Sequence, residues 1–270
     1  MRGASRASLA EARQQLSAAV TSAAAARTLG DELFAVVTLL DAEPALRRAL
    51  TDGSRPVEAR TGLVRDLLGG RVGDATIDLV ASLAAGQWSR PAELSEAAEQ
   101  LAVLSISAAA ERGRHLDDLE DQLFRFGRVV AGAPELRTVL SSPDVPAEYK
   151  RGLLDSLLEG KATPDARYLI SQAAVHARGR SLDASLTEYA RLAAQWRERL
   201  IAVVRVAIAL SAEQRDRLAA VLAAAYGHEI HLNVIVDPDL VGGMSVRIGD
   251  EFIDGSVASR LAELRRRLAA

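Results

Sequence analysis

Cysteine is absent from all 270 residues, which excludes disulfides, thiolate metal sites and cysteine nucleophiles. Aromatic residues make up only 4%, so the stacking platforms that hold single-stranded nucleic acid are missing. Lysine occurs only at Lys150 and Lys161, and the formal net charge is −3. Without a basic surplus, attraction to a phosphate backbone loses its main driving force, and nucleic acid is not an expected partner. No stretch approaches the roughly 18 consecutive apolar residues that a membrane span needs. The opening Met1-Arg2-Gly3-Ala4-Ser5-Arg6 lacks the apolar core of a signal peptide. Membrane association is therefore expected only through a complex.

Apolar residues are abundant, at 49%, and the length suits one large domain or two to three small ones. Up to about residue 198 the periodicity is helical. Leu9, Arg13, Leu16 and Val20 share a face of an Ala-rich first helix, and Leu29, Leu33, Val36, Val37 and Leu40 form a stripe on the next. Pro44, Pro56, Pro91, Pro134, Pro146 and Pro164 stand near helix starts, where a missing N–H costs least. Gly69-Gly70 and Gly160 stand where helices stop. The stretch from Ser95 to Glu120 has few breakers and predicts one long helix.

An internal repeat organises this region. At a constant offset of 90 residues, Leu29-Gly30-Asp31-Glu32-Leu33-Phe34 aligns with Leu119-Glu120-Asp121-Gln122-Leu123-Phe124. The same offset pairs Pro44 with Pro134, Leu46-Arg47 with Leu136-Arg137, Pro56 with Pro146, and Gly62-Leu63 with Gly152-Leu153. It also pairs Leu67-Leu68 with Leu157-Leu158 and Gly70 with Gly160. Residues 29–70 match their counterparts at 15 of 42 positions, whereas chance gives about four. The period is too long for a solenoid unit, so the expectation is two tandem copies of a helical bundle, at 1–104 and 105–198.

The remainder, 199–270, changes character. Val204, Val206, Ile208 and Leu210 alternate as in a strand. Ser211-Ala212-Glu213-Gln214 opens a helix running to about Tyr226. Ile230, Leu232, Val234 and Val236 alternate next, Asp237-Pro238 makes a turn, and Met244, Val246 and Ile248 alternate again. A short piece at Glu251 to Ile253 leads to a last helix from Ser256 to Leu268. The fold class is thus mainly α: two tandem helical bundles, then a small α+β domain in β-α-β-β-α order.

Chemistry is harder to find. Leu157-Leu158-Glu159-Gly160-Lys161-Ala162-Thr163 has Asp155 where a P-loop needs its first glycine and Ala162 where it needs Ser or Thr, so it reads as a helix–helix turn. His228 and His231 are three apart, which on a strand points them to opposite faces, and no cysteine completes a metal set. His115 and His176 stand alone among helices and read as surface residues. Asp117, Asp118, Glu120 and Asp121 read as a solvated helical face. Gly242-Gly243 precedes a strand without the strand–GxGxxG–helix context of a dinucleotide site and suits a bend or bulge. No catalytic, cofactor-binding or metal-binding residue is expected.

The end of the chain carries a denser signal. Val236-Asp237-Pro238-Asp239-Leu240-Val241-Gly242-Gly243-Met244-Ser245-Val246-Arg247-Ile248-Gly249-Asp250 continues into Glu251-Phe252-Ile253-Asp254-Gly255-Ser256-Val257-Ala258-Ser259-Arg260-Leu261. This resembles the C-terminal signature of the ATP synthase delta family, also called the oligomycin-sensitivity-conferring protein: an Asp-Pro turn, Gly-Gly before a strand, Gly-Asp, then Asp-Gly-Ser opening a helix with Arg-Leu. Gly179-Arg180-Ser181-Leu182, Tyr189 and Leu192 resemble the family's link between bundle and tail. The duplicated bundle departs from the usual single one and matches enlarged bacterial members.

The resemblance implies a non-catalytic stator subunit. It would link the catalytic head to the peripheral stalk, through the N-terminal helices of the alpha subunits and the end of the b subunit. It would lie peripherally at the cytoplasmic face of a bacterial plasma membrane. Such a joint calls for amphipathic helices lying in grooves. The proposed groove residues are Leu9, Leu16 and Val20 with Ile77, Val80 and Leu83 in the first copy, and Tyr168 and Ile170 in the second. The alternatives are a helical scaffold unrelated to ATP synthase, or an enzyme with an unrecognised carboxylate site.

Overall fold

A computed structural model describes residues 3–176, 178–198, 201–226, 230–237, 240, 242–248 and 251–254. The chain divides into two compact units, Met1–Ala194 and Gln195–Ala270. The first is built from α1 (Ala4–Ala19), α2 (Ala23–Ala42), α3 (Pro44–Thr51), α4 (Val57–Leu68), α5 (Asp74–Ala85), α6 (Ala92–Arg112), α7 (Leu116–Gly132), α8 (Pro134–Ser141), α9 (Ala147–Leu158), α10 (Pro164–Val175) and most of α11 (Leu182–Glu198).

The repeat is a structural one. Moved by 90 residues, α3, α4 and α5 land on α8, α9 and α10 end for end, and the start of α6 lands on the start of α11. Prolines occupy the first position of α3, α8 and α10, where no N–H is needed. The turns after α4 and α9 use Gly70 at φ 70° and Gly160 at φ 67°, a left-handed conformation that only glycine adopts without strain. Polar ties repeat as well. Glu32 accepts from Gly73 N at 3.0 Å and from the Thr76 hydroxyl, and Gln122 accepts from Thr163 N at 2.8 Å and its hydroxyl at 3.1 Å. Buried Arg60 donates to Ala84 O at 2.7 Å, and buried Lys150 donates to Ala174 O at 3.4 Å. Each cation meets the bare carbonyls at the C-terminal end of the fifth helix of its copy, where the helix dipole is negative.

The central element is α6. From Glu93 to Ala110 every residue but Glu96 and Gln100 is buried, because α6 receives helices of both copies: α1, α2, α3 and α5 from the first, α7 and α10 from the second. Moved by 90 residues, α1 falls within α6, and α6 packs on α10 as α1 packs on α5. It thus closes the first copy and opens the second. Against α6, α2 comes close at Gly30; a Cβ there would stand 2.5 Å from Ile106 Cδ1.

The expected single helix from Ser95 to Glu120 is broken. At the end of α6, His115 N donates to Ala110 O at 2.9 Å and Arg114 N to Glu111 O at 2.9 Å, with Arg114 at φ 60°. This is a Schellman stop with arginine, rather than glycine, in the left-handed position. Gly113, the residue before it, takes the helical C-cap.

In the second unit a mixed sheet has the order β2-β1-β3-β4. Central β1 (Ile201–Val206) pairs parallel with β2 (His231–Val236), reached through α12 (Ala212–Tyr226), and antiparallel with β3 (Met244–Ile248), which pairs antiparallel with β4 (Glu251–Asp254). Ala202, Val204, Val206, Leu222, Ile230, Val246 and Ile248 form its core. A reciprocal capping box starts α12: Gln214 N donates to Ser211 Oγ at 3.2 Å, and Ser211 N to Gln214 Oε1 at 2.9 Å. Two details depart from expectation. The first strand ends at Val206, leaving Ile208 80% exposed, and Glu251–Asp254 is a full fourth strand. The turn expected at Pro238, His228 and the helix expected from Ser256 to Leu268 lie outside the described residues.

Candidate functional site

The first copy's groove residues lie where α1 packs on α5. Leu9, Leu16, Val20, Val80 and Leu83 are buried there, and Ile77 is half-buried. The five buried side chains face the packed interior of the helical unit rather than an open groove, and the exposed residues of the same two helices include Glu11, Gln14, Gln15, Asp74 and Asp78. In the second copy, Ile170 is fully buried and Tyr168 half-buried on α10.

Helix α2 of the first copy runs along this second groove. The Arg27 guanidinium pairs with Asp165 and sits 4.6 Å above the Tyr168 ring. Phe34 meets Tyr168 edge-on at 5.7 Å between centroids and stacks on His176 at 6.2 Å. Asp165, itself buried, also takes a 2.8 Å hydrogen bond from His115. Burial would lower the His115 pKa, but the Asp165 bond and charge win and raise it. Neither His115 nor His176 is the surface residue its isolation in sequence suggests. His115 joins the seam, and His176 is buried between Phe34 and Asp41. Burial and the Asp31 carboxylate push the Tyr168 hydroxyl well above its usual range.

A second polar cluster joins the first copy to the segment before α11. Glu99, 2% exposed, accepts from Tyr189 at 2.6 Å and from Arg180 at 2.7 Å on both oxygens, and pairs with Arg178. Arg178 also faces Asp41 at 3.6 Å, and the residue carries a left-handed φ of 45°. A cleft of about 320 Å³ opens above, lined by Asp41, Arg47, Ser95, Glu96, Arg178 and Arg180. Its charges are matched, three arginines against Asp41, Glu96 and the underlying Glu99. Burial raises the Tyr189 pKa far above normal, helped by Glu99. Burial acts upward on Asp41 too, but His176, Arg178 and Arg47 outweigh it and hold the carboxyl low. The sequence drew attention to Arg180 and Tyr189 as part of a linking motif; their buried partner Glu99, inside a helical run, carried no local signal.

Among the described residues no three His, Asp or Glu side chains gather as a metal site, and no helix is long and apolar enough to cross a membrane. The stretch around Gly160-Lys161 is the turn into α10, with Thr163 as its N-cap.

The sequence pattern of ATP synthase delta (OSCP) subunits matches residues 102–268, which covers the second copy and the α/β unit. The chain is 46% identical to the ATP synthase subunit delta of Thermobifida fusca, over 100% of both chains. It is 48% identical to that of Streptomyces griseus, again over 100% of both. The chain belongs to the ATP synthase delta (OSCP) family. The full-length relatives include the first copy, so the duplicated build is shared with these delta subunits rather than added to this chain. A chain of the Toxoplasma gondii mitochondrial ATP synthase hexamer is similar with a TM-score of 0.33 and 17% identity, over 62% of this chain and 95% of that one.

Proposed function

We propose that this chain is the joint of a rotary ATP synthase stator: its helical unit grips the N-terminal helices of the alpha subunits, and its α/β unit engages the end of the b subunit. The observation that carries this reading is the match to delta subunits over the whole length of both chains. As a stator subunit it keeps the catalytic head from turning with the rotor. We take 1–104, 105–198 and 199–270 as its working parts, and the cytoplasmic face of the bacterial plasma membrane as its place. A non-catalytic role accords with a cleft whose charges are already paired.

Helix-in-groove binding needs a groove that is not already filled. In the second copy, α2 covers the face around Tyr168. On α1 and α5, Glu11, Gln14, Gln15, Asp74 and Asp78 are exposed and Ile77 is half-buried, whereas Leu9, Leu16, Val20, Val80 and Leu83 are packed inward. We assign the grip on the head to the first copy. The test is affinity purification of the tagged chain from gently solubilised membranes. Recovery of alpha, beta, gamma and b subunits together is expected, with loss of alpha after surface changes such as Asp78→Arg with Gln15→Arg. Recovery of none of them from membranes that contain intact synthase would overturn the reading.

A further inference from the structure

The cleft lined by Asp41, Arg47, Ser95, Glu96, Arg178 and Arg180 balances its charges but not its hydrogen bonds. Ser95 is 2% exposed, and its hydroxyl meets no partner among the described residues. Arg178 Nη1 and Nη2 are buried against Asp41 and Glu99 as charges, without hydrogen-bond geometry to either. Arg180 reaches Glu99 through Nη2, and Arg47 reaches the carbonyls of Leu40 and Asp41 through Nη1. The other N–H groups of both guanidiniums lie outside these bonds. Buried donors left without acceptors are costly, and each calls for an explanation. Arg178 adds a cost of its own, a left-handed φ of 45° beside Gly179 at φ 75°. Such strain persists only where the surroundings enforce it, and it gathers at binding sites.

What the wall lacks is acceptors. Three guanidiniums and a hydroxyl line a space of about 320 Å³, which admits a tetrahedral oxyanion and part of whatever carries it. Guanidinium forks suit phosphate oxygens, which they can meet two at a time. We propose that this cleft binds a phosphate group, which bridges Arg47 and Ser95 of the first copy to Arg178 and Arg180 of the second. The bound group would tie the segment before α11 to the first copy, beside the buried Glu99 that already holds it. Two of the acids are committed: Asp41 to Arg178 at 3.6 Å and Arg47 at 3.9 Å, and Glu99 to Arg178, Arg180 and Tyr189. Glu96, half-buried on the wall, makes no ion pair or hydrogen bond among the described residues and opposes the incoming charge. A cation fits worse, because it would find Glu96 as its uncommitted acid with three guanidiniums around it. The site stands on this geometry and is independent of the stator reading.

Equilibrium dialysis of radiolabelled inorganic phosphate against the purified full chain, in chloride at constant ionic strength, tests the site. Saturable binding of one phosphate per chain is expected, with a Kd of about 1 mM or tighter. Ser95→Ala removes a donor without touching an ion pair and is expected to weaken binding at least about tenfold. Glu96→Gln removes the opposing charge and is expected to tighten it about threefold or more. Opposite directions at adjacent residues separate contact with the ligand from a general loss of fold. Unlabelled ATP distinguishes the source: displacement of phosphate marks the phosphoryl group of a nucleotide as a ligand, and no displacement marks free phosphate. No binding up to about 10 mM phosphate, or binding that both substitutions leave unchanged, would overturn the site.

Discussion

Glu99 is a carboxylate 2% exposed inside an apolar helix, held by two arginines and a tyrosine. Removing its charge strands the cations, so Glu99→Ala is expected to cost about 3–5 kcal/mol, read as a large loss in chemical denaturation. The paired phenylalanines give the opposite contrast. Phe34→Ala leaves a cavity in the seam and is expected to cost about 3–5 kcal/mol. Phe124→Ala, at an exposed site, should stay within about 0.5 kcal/mol in the free chain. His115 adds a pH dependence. Its folded pKa is raised, so its contribution is complete below the unfolded value of about 6.5 and is lost as pH rises through the folded value. The Tm difference between the native chain and His115→Ala should therefore be larger at about pH 5.5 than at about pH 8.5. Equal differences at the two pH values would contradict the seam pairing.

Among elements, the repeat carries most of what the sequence could tell. Proline at helix starts and glycine at left-handed turns act locally, so the starts of α3, α8 and α10 and the stops after α4 and α9 were legible. The break between α6 and α7 was not, because Arg114 adopts the left-handed conformation without being glycine. The stop is imposed by the 110–115 hydrogen bonds and not by a local preference. Arg114→Gly relieves that strain and is expected to stabilise the chain by about 0.5–1 kcal/mol, checked by Tm; a loss of stability would mean the arginine makes a compensating contact. The candidate groove was legible only in part. An apolar stripe at helical spacing identifies a packed face, but whether a partner or the chain's own α2 covers it depends on tertiary placement, as Tyr168 illustrates. Half-buried ion pairs such as Arg27 with Asp165, or Arg180 with Glu99, join residues 138 and 81 apart, beyond the reach of any local pattern.

For the whole molecule, the change of periodicity near residue 200 marked the α/β unit, and the signature from Val236 to Leu261 pointed to its family without any knowledge of the fold. A duplicated helical unit joined to a small sheet domain suits a static connector between two larger bodies. Such a connector is needed for coupling and not for hydrolysis. The most direct measurement is ATP-driven proton pumping in membrane vesicles depleted of this chain, with hydrolysis by the catalytic heads recorded alongside. Hydrolysis should persist while pumping is lost, and adding back the purified chain should restore pumping. Undiminished pumping in vesicles verified to lack the chain would contradict the account.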